Sequence, residues 1–103
     1  MNTVGRILEE KGHTVHRAAP GDTVLQAVER MCGHGVGSLM VCDSGLPVGI
    51  VTERDLMTDV MLAGRDPATT RVEEIMARDV VCVECSTPAE AAMAIMTERR
   101  CRH

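Results

Sequence analysis

Apolar residues along this chain recur at two spacings, and the points where one gives way to the other mark its elements. Val4, Ile7 and Leu8 share a helical spacing that stops at Gly12, which predicts a short helix over 3–11 closed by that glycine. A first strand is predicted over 14–17. Pro20-Gly21-Asp22 then turns the chain into a helix with Val24, Ala27, Val28 and Met31 on one face. Thr23 and Gln26 have the spacing of a capping box at its start, and glycines at 33, 35 and 37 end it. The run 38–42 is a short apolar strand, Asp43-Ser44-Gly45 a hairpin turn and 48–51 the returning strand. At Thr52 the strand runs into a helix carrying Leu56, Met57, Val60 and Met61, predicted to close at Gly64 with Pro67 just beyond.

After the linker Arg65-Asp66-Pro67-Ala68-Thr69-Thr70 the pattern starts again. The segment from Val72 to Met76 echoes Val4 to Leu8, and a strand is predicted over 80–83 in the place of the first one. Ala92, Met93 and Met96 fall on Ala27, Val28 and Met31 at an offset of 65 residues. Thr87 and Glu90 form a second predicted capping box, one residue out of step with the first. By the same offset Cys101-Arg102-His103 lies on Val36-Gly37-Ser38, where the second strand of the unit begins. The second repeat therefore has no counterpart of the hairpin, of Thr52 or of Asp55. The expectation is a fragment of a longer chain, continuing after His103 with an apolar strand that starts with Leu or Ile, rather than strands supplied by a partner, because a sheet interrupted there leaves an unpaired edge.

Composition narrows the function classes. A chain of 103 residues suffices for one modest core. It contains no Phe, Tyr or Trp, so that core is built from Val, Ile, Leu, Ala and eight Met residues. The platforms on which single-stranded nucleic acid stacks are missing, and a net charge of −4 gives no pull toward phosphate backbones, so no nucleic-acid partner is expected. No apolar run approaches the roughly 20 residues of a membrane span, and the N-terminus lacks the apolar core of a secretory signal, so a cytoplasmic protein with no membrane partner is expected. Five cysteines, at 32, 42, 82, 85 and 101, are an odd and scattered set that argues for reduced, mostly buried thiols, with Cys32 and Cys42 as small core residues.

The stretch Val48-Gly49-Ile50-Val51-Thr52-Glu53-Arg54-Asp55-Leu56 carries the candidate chemistry. At a strand-to-helix turn the first backbone N–H groups lack intrahelical partners. A carboxylate at Asp55 accepts two hydrogen bonds at once and suits the paired 2′ and 3′ hydroxyls of a ribose, whereas the Thr52 hydroxyl can donate to a phosphate oxygen. The same Thr-x-x-Asp spacing is also that of an ordinary capping box, and the spacing alone leaves both open.

In these residues the chain resembles the cystathionine-β-synthase (CBS) domain family. The resemblance rests on Val36-Gly37-Ser38-Leu39-Met40-Val41, on Gly49-Ile50-Val51-Thr52-Glu53-Arg54-Asp55, on the linker Asp66-Pro67-Ala68-Thr69-Thr70 with Val72-Glu73-Glu74-Ile75-Met76, and on the end Glu98-Arg99-Arg100-Cys101-Arg102-His103. It implies an α/β (α+β) fold of tandem β-α-β-β-α motifs with pseudo-two-fold symmetry, the second motif incomplete. Residues 1–66 would form the first motif with its N-terminal helix and C-terminal linker, and 67–103 the N-terminal part of the second. It further implies a cleft between the motifs for an adenosine ligand such as AMP, ADP, ATP, S-adenosylmethionine or NAD, as a regulatory ligand and not an obligatory cofactor. Asp55 would hold the ribose, Thr52 would lie near the phosphate with Arg54 beside it, Val80 and Val81 would face the adenine, and Cys101, Arg102 and His103 would rim the site. The family commonly has Thr after Met where this chain has Ala77, which removes one hydrogen bond to base or ribose. With one Thr and Asp pair, at most one competent site per chain is expected. Family habit also implies a homodimer.

Other constellations are weaker. Cys82-x-x-Cys85 with Cys101-x-His103 has metal-ligand residues, but in a strand residues three apart point to opposite faces and cannot share an ion unless a turn starts at Glu84, so no metal is expected. His13, His16 and His34 have no nucleophile beside them, and the basic cluster 98–102 reads as a solvated helix end. No catalytic residue and no enzymatic activity are therefore expected. The functional expectation is an adenosine-binding regulatory module, the alternative a dimerisation scaffold indifferent to ligand.

Overall fold

The computed structural model describes residues 2–12 and 14–103. His13 lies outside the described residues. The chain divides into two compact units, one formed by Val15–Val80 and the other by Met1–Thr14 together with Val81–His103.

The first unit is a three-stranded sheet with helices packed on it. Strand β1 (Arg17–Ala18) pairs in parallel with β2 (Ser38–Asp43), which pairs antiparallel with β3 (Leu46–Thr52), giving the order β1-β2-β3. The hairpin is closed by Ser44 and Gly45, both at positive φ (53° and 81°), as a two-residue loop matching the right-handed twist of its strands demands. Between Val41 and Cys42 the register shifts, leaving Val48 as the extra residue of β3. Helix α2 (Val24–His34) carries the expected capping box: Thr23 N–H donates to Gln26 Oε1 at 2.8 Å, and Gln26 N–H to Thr23 Oγ1 at 3.1 Å. It ends at Gly35 in the left-handed region. Val24, Ala27 and Met31 bury one stripe of α2 against Leu39, Val41 and Val51 of the sheet, together with Val60, Val72, Ile75 and Met76. This cluster is aliphatic throughout.

In the second unit, helix α1 (Val4–Lys11) is capped by Thr3, whose hydroxyl accepts from Arg6 N–H, and closes on Gly12, whose N–H reaches Leu8 O at 2.7 Å. Helix α4 (Ala89–Arg99) repeats α2 at the offset read from the sequence, down to its cap: Arg100 adopts the left-handed conformation that Gly35 has, and Cys101 N–H meets Met96 O at 3.0 Å as Val36 N–H meets Met31 O at 3.0 Å. The lead-ins of the repeats are exchanged between the units. Val24 N–H, which opens α2, donates to Thr70 O at 2.8 Å, and Val72 N–H donates to Asp22 O at 2.8 Å. At the start of α4 it is Asn2 that accepts from Ala89 N–H, at 2.9 Å, while Val4 N–H donates to Thr87 O at 2.9 Å.

Five expectations are corrected. The first strand occupies Arg17–Ala18 and not 14–17, because only these residues find partners, in Met40 and Val41. Residues 80–83 are not a strand, although their apolar pattern matches that of the first one. Thr87 and Glu90 do not cap α4, whose N-cap is Pro88 with no side-chain hydrogen bond. Cys32 is exposed and Cys42 only half-buried, since each stands one residue off the buried positions Met31 and Val41, and Cys82 and Cys85 are exposed too. Finally, the helix expected from Thr52 is not regular throughout, and its Met57 and Met61 point away from the core, at 59% and 80% exposure. After a first turn α3 (Glu53–Asp55) the helix widens into a π-helical stretch, Leu56–Met61, with Leu62 N–H bonded to Met57 O at 2.9 Å. Only Val60 of that stretch is buried.

Among the described residues no helix is long and apolar enough to cross a membrane.

Candidate functional site

Thr52 is the last residue of β3, paired with Ser38 of β2, and Glu53 N–H donates to Gly37 O at 3.1 Å. These bonds fix where the chain leaves the sheet. Thr52 has the extended conformation (φ −124°, ψ 166°), and the next residue is already helical, so its side chain sits over the open end of the first turn.

Thr52 and Asp55 bond to each other. Thr52 N–H donates to Asp55 Oδ2 at 2.8 Å, the Thr52 hydroxyl donates to the same oxygen at 3.1 Å, and Asp55 N–H reaches Thr52 Oγ1 at a long 3.4 Å. The capping box that the spacing left open is therefore present. Both residues are half-buried, so solvent reaches the pair. The arrangement holds a carboxylate at a strand-to-helix corner in one orientation, set by a backbone N–H and a hydroxyl of the residue three positions earlier. Glu53 stands in the same turn, so the helix start already carries two carboxylates that complement its dipole.

Arg54 lies in this turn with its side chain exposed, and its carbonyl accepts from the Thr58 hydroxyl at 2.9 Å. Val80, half-buried, ends the same unit. Val81, Cys101, Arg102 and His103 belong to the other unit, where Val81 and Cys101 are half-buried, and Arg102 and His103 are exposed. The left-handed Arg100 directs these last three residues off the end of α4.

Three features were not read from the sequence. Gly49 lets the Met76-Ala77 backbone approach β3: a Cβ there would lie 2.8 Å from Ala77 O and from Met76 Sδ. The signal was the glycine inside an otherwise β-branched strand. His16, just before β1, and His34, at the end of α2, stack with ring centroids 4.0 Å apart and planes 20° from parallel. A hollow of about 380 Å³ lined by Asp59, Ala63, Arg65, Glu74, Ile75 and Met76 lies in the first unit, with the pair Arg65 Nη1 to Glu74 Oε1 at 3.6 Å on its wall; it includes neither Thr52 nor Asp55. Among the described residues no group of three or more His, Cys, Asp or Glu side chains is placed to hold a metal ion.

Comparison with known proteins gives consistent matches. The family model for the CBS domain matches residues 6–61 and 72–103. A mitochondrial CBS domain-containing protein of Arabidopsis thaliana is 33% identical over 98% of this chain and 53% of its own length, so the chain spans about half of that relative. The solved structure of a protein with CBS domains from Burkholderia ambifaria superposes with a TM-score of 0.94 at 41% identity, covering 98% of this chain and 76% of that one. A hexameric CBS-CP12 protein from bloom-forming cyanobacteria superposes with a TM-score of 0.85 at 31% identity, covering 97% and 55%.

Proposed function

Because the chain belongs to the CBS domain family, we propose that it is a regulatory module that binds an adenosine derivative through Asp55, which accepts from the ribose hydroxyls. The observation that carries this reading is the orientation of the Asp55 carboxylate by Thr52 at 2.8 and 3.1 Å. A neutral donor pair such as a cis-diol suits a helix start that already bears Glu53 and Asp55, since it adds no negative charge there. AMP, ADP, ATP, NAD and S-adenosylmethionine all present that diol. Arg54, Val80, Val81, Cys101, Arg102 and His103 are proposed as further contacts on the family's pattern, and the module acts by binding and not by catalysis. A ligand of this kind regulates a partner only through unequal affinity for two arrangements of the protein.

Isothermal titration with these five compounds tests the reading. Saturable binding to the wild type, weakened about tenfold or more in Asp55→Ala, is expected, since a hydrogen bond to a charged group is worth about 1.5–3 kcal/mol. No binding, or unchanged affinity in Asp55→Ala, overturns it.

A second reading is favoured by one observation: the capping box accounts for Thr52 and Asp55 with no ligand at all. The protein is then an assembly module. Self-association through the exposed Met57, Met61 and Leu62 of the first unit fits it. Sedimentation showing a stable dimer indifferent to every nucleotide would select this alternative.

A further inference from the structure

We propose that Cys82 and Cys85 form an oxidative modification site, a dithiol that a low-molecular-weight disulfide converts into an intrachain bridge, with Cys85 held in place and Cys82 moving to meet it. The proposal does not depend on the adenosine reading. Both thiols are exposed and both belong to the second unit, whereas Cys32, also exposed, belongs to the first, and Cys42 and Cys101 are half-buried. Exposure is what a soluble oxidant requires. The backbones of the two cysteines are held differently. Residues 81–83 belong to no helix, strand or turn. Cys85 lies in a turn closed by Thr87 N–H on Glu84 O at 3.0 Å, and its carbonyl accepts from Gly5 N–H at 2.8 Å, in the first turn of α1. Gly5 packs so closely there that a Cβ on it would stand 3.1 Å from Cys85 O and 3.3 Å from Cys85 Cβ. The residues that follow are fastened to the same segment, Thr87 O accepting from Val4 N–H and Ala89 N–H donating to Asn2 O, each at 2.9 Å. Moving Cys85 breaks this set of bonds, and moving Cys82 leaves it intact.

The bend at Cys85 and Ser86 follows the two cysteines instead of lying between them. An unbent run of three steps separates its ends by up to about 10 Å, and a disulfide requires Cα atoms within about 7 Å. The bridge therefore forms when the chain folds at 82–84 toward Cys85, drawing Val81 with it. Glutathione disulfide supplies the oxidation. The thiolate of one cysteine attacks a sulfur of that compound and expels one glutathione thiolate, and the thiolate of the other cysteine then attacks the protein sulfur of the mixed disulfide and expels the second. Two protein thiols are oxidised, one disulfide is reduced to two thiols, and the protons lost by the cysteines pass to the two glutathione thiolates.

The test is mass mapping of the folded wild-type chain after incubation with glutathione disulfide and blocking of the remaining thiols with iodoacetamide. Trypsin releases both cysteines in one peptide, 79–99, because Arg78 and Arg99 flank it and no Lys or Arg lies between them. That peptide is expected to be two hydrogens lighter than its reduced form and to take up no iodoacetamide. Cys82→Ser and Cys85→Ser are each expected to stop at a mixed disulfide with glutathione. Amide hydrogen exchange on the oxidised wild type shows which cysteine moves, and the Gly5 amide is expected to keep the protection it has in the reduced chain. A peptide that stays reduced, that stops at mixed disulfides, or whose cysteines pair with Cys32, Cys42 or Cys101 overturns the site. A loss of about tenfold or more in Gly5 protection makes Cys85 the moving partner and overturns the assignment of the anchor.

Discussion

Ile50 and Ala77 exchange both of their backbone hydrogen bonds, Ile50 N–H to Ala77 O at 2.9 Å and Ala77 N–H to Ile50 O at 2.8 Å. This fastens the segment after the linker to the outer edge of β3, two residues before Thr52, and it requires Gly49 to have no side chain. Gly49→Ala places a methyl 2.8 Å from Ala77 O, a backbone atom that moves only if the bridge opens. A destabilisation of about 1–3 kcal/mol is expected, read as a lowered melting temperature by circular dichroism. An unchanged melting temperature would contradict the close approach.

Asp22 gives the first unit an acid-sensitive contact. Its carboxylate accepts from Ala19 N–H at 2.8 Å and from Arg30 Nη1 at 3.1 Å. The hydrogen bond from Ala19 is the main cause that holds its pKa below the ordinary carboxylate value, with burial opposing and Arg30 assisting. A carboxyl whose folded pKa lies below its unfolded one, about 3.9, stabilises the fold fully above that unfolded value and loses the contribution as pH falls through the folded one. Asp22→Asn is therefore expected to lower stability in urea at pH 7 by about 1 kcal/mol, and the gap from wild type should close as the pH falls below the unfolded value of about 3.9 and through the lowered folded one. A gap independent of pH would exclude the ionised contact.

The two helices that repeat each other start differently. Thr23 closes a reciprocal box with Gln26, whereas α4 starts at Pro88 with no side-chain cap. Thr23→Ala should cost about 1 kcal/mol, and Thr87→Ala within about 0.5 kcal/mol of nothing, as surface changes away from such features do. Chemical denaturation of the two variants side by side checks the difference; equal losses would mean that the α4 start is capped after all.

The face left open by the π-helical stretch is the expected contact for self-association, with Met61 80% and Leu62 82% exposed. Met61→Glu or Leu62→Lys should weaken a dimer about tenfold or more while leaving the melting curve of the monomer in place. Sedimentation velocity over a concentration series would show it. If both variants associate as the wild type does, the contact lies elsewhere.

What the sequence revealed depended largely on whether a residue's partner was close along the chain, the box expected of Thr87 and Glu90 being the local exception. The Thr23 and Gln26 box, the Ser44 and Gly45 turn and the stop at Gly12 all have partners within a few positions, and each was read correctly. The 65-residue repeat was legible because α2 and α4 meet the same local demands and end on the same left-handed cap. Features set by distant partners were not legible. That β1 is only two residues long follows from Met40 and Val41, and the stack of His16 on His34 depends on how the chain before β1 meets the end of α2. At the candidate site, spacing gave the pair Thr52 and Asp55 but not the direction of the hydroxyl. Orientation is a matter of which acceptor lies nearest, and only coordinates rank acceptors.

The exchange of lead-ins constrains what any shorter version of this chain could be. A polypeptide holding one repeat would begin its main helix with an amide at Val24 and no Thr70 to receive it, unless its own opening segment folded back or a neighbour lent one. Two identical copies trading their opening segments would meet the need without new chemistry. Dividing the chain at the linker would strand Thr70 and Val72 on one piece and Val24 and Asp22 on the other, so the pieces should recover order only when mixed.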